Sequence, residues 1–154
     1  MNTTVPASAD ARSTPAGGRC LCGAVQYEVR GQLRDVVYCH CAMCRRSSGH
    51  IVAATACAKS ELDVTSSDNL RWYQSSAIAR RGFCGRCGSS LFWDPLDAGY
   101  MAIMAGTLDS PTGITSREHI FVGDAGDYYA ICDGLPQSTA GGGAEDVACA
   151  GMDE

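Results

Sequence analysis

The chain has 154 residues, of which 45% are hydrophobic and 19% are charged, a composition typical of one soluble globular domain. No apolar run approaches the ~18 residues that a membrane-spanning helix needs, and residues 1–18 lack the apolar core of a secretory signal. We therefore expect a cytoplasmic protein that does not contact the membrane. The net charge of −5 argues against a nucleic-acid partner, because such partners require a basic surface.

The charges are distributed unevenly along the chain. Residues 19–86 carry a net charge of +5 and residues 87–154 a net charge of −10, and eleven of the twelve basic residues are arginines. Arginine has the planar donor geometry that suits carboxylates and phosphates. The basic half could therefore bind a small anionic ligand, or it could be a solvated surface whose arginines balance thiolate charge.

Both ends of the chain are predicted to be flexible tails. Residues 1–17 are rich in Ser, Thr, Ala and Pro, and residues 137–154 contain three successive glycines followed by acidic residues. Both compositions are typical of disorder. Cys149 lies in the second tail, where we expect a free thiol with no role. The folded domain is predicted to span residues 18–136.

Within this domain, hydrophobic residues mostly alternate with polar ones, which is the period of a half-buried strand. The strands predicted in this way are residues 25–29, 36–38, 51–57, 70–74, 79–83, 90–93, 100–105 and 119–122. Turn-forming residues such as Asp94 and Pro95 separate them, and one short helical turn is predicted at residues 45–48. Short strands at regular spacing predict a mainly β fold built of antiparallel sheets.

The cysteines are unusually many and are clustered. There are ten, and in a reducing compartment clustered thiols usually bind metal or perform chemistry. Seven of them form three tight groups: Cys20 and Cys22, then Cys39, Cys41 and Cys44, and then Cys84 and Cys87. Gly23 and Gly88 directly follow the outer two groups, and glycine permits the positive φ of a chain that turns around a metal ion. The two outer pairs together supply four thiolates, the closed ligand set typical of structural zinc.

The central group, spaced C-x-C-x-x-C, then has no further cysteine pair to complete it. Three thiolates leave one tetrahedral position of a zinc ion for water or substrate, which is the arrangement of a catalytic site. His40 is a poor fourth ligand, because an extended segment would direct its side chain away from Cys39 and Cys41. His50 and His119 remain weaker candidates for that position, since a lone histidine is more often structural.

Other assignments of the cysteines stay open. Cys20 and Cys22 could join the central group in a single or binuclear site, although this division leaves odd numbers of ligands. Cys57 lies in an apolar stretch, where we expect a small buried hydrophobe. Cys132 has no assigned role.

A zinc ion held by three thiolates is better suited to binding a fourth thiol, as thiolate, than to generating hydroxide. Such a thiol could add to a small carbonyl compound, or the adduct could break down again. Several arginines near the cysteine groups could receive the carboxylates of a thiol tripeptide, namely Arg45, Arg46, Arg80, Arg81 and Arg86. Of these, Arg45 and Arg46 are the predicted contacts of the thiol, a hypothesis that rests on charge and spacing.

Three motifs of the chain resemble those of the glutathione-dependent formaldehyde-activating enzyme family, which is also named for a centromere protein. They are residues 18–25 (GRCLCGAV), 39–49 (CHCAMCRRSSG) and 81–91 (RGFCGRCGSSL). Residues 119–122 and 133–137 resemble the C-terminal segment of that family. The family often has a tryptophan shortly before this last segment, where the present chain has Tyr128 and Tyr129.

The resemblance implies the zinc-binding β-tent fold and two zinc ions. The structural ion would lie on Cys20, Cys22, Cys84 and Cys87, and the catalytic ion on Cys39, Cys41 and Cys44. The implied activity is that of a carbon–sulfur lyase, which forms or cleaves S-hydroxymethylglutathione from glutathione and formaldehyde. The alternative is a non-catalytic zinc-binding module that binds a protein partner, and the occupant of the fourth position would distinguish the two. The true substrate and the oligomeric state stay open.

Overall fold

The computed structural model describes residues 15–141 and has ten strands and one α-helix in that range. The elements in chain order are β1 (Ala16–Arg19), β2 (Gln26–Val29), β3 (Val36–Cys39), α1 (Ala42–Ser48), β4 (Val52–Ala58), β5 (Leu62–Ser66), β6 (Leu70–Gln74), β7 (Ala79–Cys84), β8 (Ser90–Pro95), β9 (Tyr100–Met104) and β10 (Ser116–Ile120). Three single-turn 3-10 helices occupy Lys59–Glu61, Ala105–Thr107 and Val122–Asp124. No helix within the described range is long and apolar enough to cross a membrane.

The strands form two sheets. The larger has seven strands in the order β10-β3-β4-β9-β8-β7-β6, and the smaller has three in the order β1-β2-β5. Every neighbouring pair is antiparallel except β10 and β3, which run parallel. The predicted mainly β fold class is therefore confirmed, with one parallel pair that the sequence did not suggest.

The two faces of the larger sheet carry separate hydrophobic clusters. On one face the three-stranded sheet packs against it, and the edge of the Tyr27 ring meets Phe92 at a centroid distance of 5.2 Å. On the other face Cys39, Cys44 and Trp93 belong to one buried cluster next to α1. The second cluster positions the central cysteine group in the interior of the domain, away from bulk water.

Most predicted strands are present, but four features differ. Strand β1 was not predicted because Gly17 and Gly18 have low strand propensity; a side chain at Gly18 would collide with the Tyr27 ring. Strand β5 was also missed, and β10 begins three residues before its predicted start. Strand β8 continues through Asp94 and Pro95, which were predicted to form a turn. Asp94 is tolerated there because cationic side chains pair with its buried carboxylate.

Paired backbone extends slightly past residues 18–136 at both ends. Strand β1 begins at Ala16, and the backbone N–H of Ser138 donates to the carbonyl of His119 at 2.9 Å. Most of the two predicted tails, including Cys149, lies outside the described residues.

Candidate metal centres and the adjoining cleft

The four outer cysteines come together where the turn after β1 lies next to the turn after β7. Cys20 and Cys22 lie in the turn after β1, Cys84 ends β7, and Cys87 lies in the next turn. Their four sulfur atoms all lie within 4.8 Å of one another, with Cys20 and Cys22 sulfurs 3.6 Å apart and those of Cys22 and Cys84 3.9 Å apart. A tetrahedral zinc with bonds of ~2.3 Å places its sulfur ligands roughly 3.8 Å apart, whereas a disulfide is ~2.05 Å long. The group therefore fits a metal ion and is not disulfide-bonded.

The turns that carry these sulfurs have the geometry of metal-binding loops. Gly23 and Gly88 have φ angles of 76° and 80°, which residues with side chains rarely adopt. The backbone N–H of Val25 donates to the Cys20 sulfur at 3.3 Å. A hydrogen bond with the Ser89 hydroxyl lowers the pKa of Cys87 to about 5, whereas burial and the neighbouring thiols raise the pKa of Cys22 to about 11. A metal ion that binds all four sulfurs as thiolates must therefore displace protons from this group.

The three central cysteines form a second, buried group. Cys39 ends β3, Cys41 is the N-cap of α1, and Cys44 lies in the first helical turn, with exposures of 3%, 4% and 2%. Their sulfurs also lie within 4.8 Å of one another. The Cys41 sulfur accepts the backbone N–H of Cys44 at 3.4 Å, so the helix start itself brings these two thiols together. This group too could hold a metal ion.

No fourth protein ligand completes the central group within residues 15–141. No ligand atom of another histidine, cysteine, aspartate or glutamate in this range lies within 4.8 Å of all three sulfurs. Both ring nitrogens of His40 bind other side chains. Cys57 is buried in β4, where burial raises its pKa to about 12, and Cys132 is exposed. Among the described residues, the donor set of the central group is therefore three thiols.

All three histidines of the chain lie in a cluster of aromatic rings beside the central group. Fully buried His40 bonds through Nδ1 to the Tyr129 hydroxyl at 2.5 Å and through Nε2 to Nδ1 of His119 at 2.7 Å. Nε2 of His119 in turn bonds to a carboxylate oxygen of Asp133 at 2.8 Å. The outermost pair, His50 Nδ1 and the Tyr128 hydroxyl, lies 2.8 Å apart and is exposed.

The direction of each hydrogen bond in this series of side chains follows from the carboxylate at its end. An ionised Asp133 only accepts, so His119 donates from Nε2 and, when neutral, accepts at Nδ1. His40 then donates from Nε2 and accepts at Nδ1, and the Tyr129 hydroxyl donates to it. The hydrogen bond from His119 lowers the pKa of Asp133, and burial lowers the pKa of His40, so both shifts favour this assignment. Four side chains thus tie residues 129–133 to β3 and β10.

A cleft of about 310 Å³ lies near the central group and is connected to it through Arg81, although none of the three cysteines lines the cleft. Its walls include Ser47, Ser48, Tyr73, Arg81, Phe83 and Met104. A guanidinium nitrogen of Arg81, Nη2, lies 3.8 Å from the Cys44 sulfur. A smaller cavity of about 20 Å³ is lined by Cys39 and Cys44 and shares Arg81 with the cleft. Because a single water needs roughly 10–15 Å³, the smaller cavity has room for a very small molecule next to the thiols.

The predicted anion-binding arginines are not those that line the cleft. Arg45 and Arg46 lie in the last turn of α1, where Arg46 is exposed, and neither is among the residues that line the cleft. Arg80 is bound to Asp94 at 2.7 Å and stacks on Trp72. Arg81 was one of five arginines that sequence reasoning considered, but nothing in the sequence distinguished it from its neighbours.

Comparison with known proteins identifies the family. Residues 15–124 match the model of the family described as glutathione-dependent formaldehyde-activating enzyme. The chain belongs to this family. An uncharacterized lyase of Schizosaccharomyces pombe is 32% identical over 76 residues, which are 49% of this chain and 55% of that protein. The chain thus spans about half the length of this curated relative.

A solved structure supports the same relationship. The crystal structure of a Rhodobacter sphaeroides protein aligns with a TM-score of 0.53 and 30% identity, over 63% of this chain and 91% of that chain. The family match includes all seven clustered cysteines but ends at residue 124. Tyr128, Tyr129 and Asp133 therefore lie beyond the matched part of the glutathione-dependent formaldehyde-activating enzyme domain.

Proposed function

We propose that the protein is a carbon–sulfur lyase that forms and cleaves the adduct of a thiol with a small aldehyde. The thiol is glutathione or a similar compound, and the aldehyde is formaldehyde or another small one. In the forward direction a sulfur–carbon bond forms, the carbonyl π bond breaks, and the thiol proton passes to the carbonyl oxygen. The observation that carries the proposal is a buried set of three thiols, two of which line a small cavity, with no fourth protein ligand among the described residues, in a chain of this family.

Each group at the site has a role in this reaction. Cys39, Cys41 and Cys44 would hold a zinc ion, which when bound supplies a position where a thiol is favoured as the nucleophilic thiolate. Arg81 lies beside the Cys44 sulfur and would offset the negative charge that three thiolates and a thiolate substrate accumulate. The smaller cavity has a size suited to a one-carbon carbonyl compound, and the cleft has room for the thiol.

The second cysteine group has a structural role in this proposal. Cys20, Cys22, Cys84 and Cys87 would hold a zinc ion in a closed shell, which joins the turn after β1 to the turn after β7. Arg45 and Arg46 remain predicted contacts for the carboxylates of the thiol. A cytoplasmic location would keep all seven thiols reduced.

Exchange NMR of formaldehyde with glutathione tests the activity. The addition is spontaneous, so the informative quantity is the difference in exchange rate with and without the zinc-loaded protein. We expect faster exchange with the protein, and no acceleration with a Cys41→Ser variant of normal fold. Equal rates for the two proteins would contradict a role for the central group.

A spectral titration of the cobalt-substituted protein with thiols addresses the non-catalytic alternative. A zinc module that binds a protein partner needs no open metal position and would not respond to small thiols. If neither glutathione nor any other thiol changed the spectrum of the cobalt-substituted protein at millimolar concentration, the lyase would be excluded in favour of the module.

A further inference from the structure

The cleft near the central cysteines is lined by positive charge only. Of the described residues that line it, Arg81 is the only charged one, and no carboxylate faces it. The remaining lining combines apolar side chains, namely Val52, Phe83, Phe92 and Met104, with the neutral hydroxyls of Ser47, Ser48, Ser90 and Tyr73. A ligand that fits this lining has one negative charge near the thiols and an apolar body.

Arg81 has donors to spare for that charge. Its one hydrogen bond within residues 15–141 joins Nη2 to the Cys44 sulfur at 3.8 Å, and no carboxylate there forms an ion pair with it. Its neighbour Arg80 is by contrast occupied by Asp94. A guanidinium has five N–H donors in a planar fork that matches a carboxylate. Arg81 can therefore contact Cys44 and a ligand carboxylate together, provided that the carboxylate is close to the ligand's sulfur.

An aromatic side chain stands at the mouth of the same cleft. Tyr73 of β6 is directly opposite Arg81 of β7 in the sheet register, so the two side chains project from the same face as neighbours. Tyr73 is 65% exposed, so its ring is accessible to a molecule bound in the cleft. Together with Phe83 it extends the apolar wall outward from the charged end.

Glutathione matches this lining only in part. It carries two carboxylates and an ammonium group, whereas the lining of the cleft itself offers one cation, several neutral hydroxyls and no carboxylate to receive the ammonium group. Polar groups that lose water without gaining a partner reduce binding strongly. We propose that the thiol preferred by this protein is a mercaptocarboxylic acid, with a single carboxylate close to its sulfur and an apolar or aromatic body. This inference rests on the proposed function, because it names the thiol of that reaction.

The test compares thiols on cobalt-loaded protein, where spectral titration reports binding independently of turnover. The probes are 2-mercapto-3-phenylpropanoic acid, its uncharged amide, and glutathione. We expect the acid to bind at least about tenfold more tightly than either of the others, the size of effect that one charge-assisted hydrogen bond supplies. Arg81→Gln should abolish the preference for acid over amide, and Arg81→Lys should retain part of it.

Two further variants separate the parts of the proposed contact. Arg71→Gln is the matched control, since Arg71 is exposed on β6, donates to the Asp68 carbonyl and does not line the cleft; it should keep the full preference. Tyr73→Ser should weaken the phenyl-bearing acid several-fold and leave mercaptoacetic acid unchanged. Cobalt content is measured for every variant, so that a loss of metal is not mistaken for a loss of thiol contact.

The outcomes distinguish this inference from the proposed function. Equal binding of acid and amide, or tighter binding of glutathione, would overturn the mercaptocarboxylic acid while acceleration of aldehyde exchange still supported the lyase. The expected order of binding without any acceleration of exchange would overturn the lyase and leave the assignment of the cleft intact. Acceleration by the acid that exceeds that by glutathione would support both.

Discussion

Tyr128 and Tyr129 provide a matched test of how burial determines the contribution of a hydrogen bond. Each hydroxyl bonds to Nδ1 of a histidine, Tyr129 to His40 at 2.5 Å and Tyr128 to His50 at 2.8 Å. His40 is fully buried, whereas His50 and Tyr128 are exposed. Tyr129→Phe leaves a buried nitrogen without a partner, which costs roughly 1–3 kcal/mol. Tyr128→Phe returns His50 to water, and we expect a change below about 0.5 kcal/mol.

These free energies correspond to separable melting temperatures. For a domain of this size, 1 kcal/mol shifts the melting temperature by roughly 3–6 °C, so Tyr129→Phe should lower it by about 3–18 °C and Tyr128→Phe by less than about 3 °C. Circular dichroism melts of both variants at neutral pH, at matched zinc content, measure the difference. Equal shifts for the two variants would refute the argument that the hydrogen-bonded series of side chains from Tyr129 to Asp133 holds the C-terminal segment against the sheet.

Three more predictions concern the cysteine groups and a buried ion pair. Cys22→Ser should unfold the domain, because metal binding at a closed site is part of the folding free energy. Cys41→Ser should stay folded but inactive, since serine retains the N-terminal cap of α1. Circular dichroism and activity measurements on both variants would show the opposite pattern if the two cysteine groups had exchanged roles. Elemental analysis should find two zinc ions per chain, and a single ion in active protein would contradict this division. Asp94→Asn should cost about 2–3 kcal/mol in urea unfolding, because its carboxylate is buried between two partly exposed cations; the exposed Asp63→Asn, paired with Arg30, should change stability by less than about 0.5 kcal/mol.

The sequence was most informative where the relevant signal is local. The alternation in residues 70–74 predicted β6 with its observed bounds, because side chains on a strand repeat every two residues. The cysteine groups were predictable for a related reason. Two cysteines that are two or three residues apart can readily bind the same ion, so sequence reasoning had only to infer which groups of cysteines pair with each other. The structure brings Cys20 and Cys22 together with Cys84 and Cys87, as inferred.

Sequence reasoning was least informative where the answer depends on the order of strands. Period-two alternation places Arg80 and Arg81 on opposite faces of β7, but it does not say which face carries the central cysteines. That depends on the register that sets Arg81 opposite Trp93 of β8, and on the position of α1 above the sheet. Arg45 and Arg46 stay predicted contacts of the thiol, but they are successive residues of a helix, so their side chains point in different directions.

The aromatic cluster was missed for the same physical reason. His40 and His119 are 79 residues apart and meet only because β10 pairs with β3 in parallel. Parallel pairing of distant strands has no local sequence pattern of the kind that predicts a hairpin. The register sets His119 beside Tyr38, and the two rings stack at 4.9 Å. The sequence did contain one clue, since an aspartate in the C-terminal motif is a natural partner for a buried histidine.

The alternation of β3 separates the two halves of the site. Cys39 pairs with Val52 and belongs to the buried cluster on the cleft side, while Tyr38 and the following His40 contact His119 on the opposite side. Substitutions at Arg81 and at Tyr129 therefore share no direct partner among their described contacts, and effects of such separated sites on stability normally add. A double variant, Arg81→Gln with Tyr129→Phe, should lose the sum of the two single losses within about 0.5 kcal/mol. A larger coupling would mean that the C-terminal segment acts on the cleft through β3 itself, and the cleft could then not be treated as a rigid binding surface.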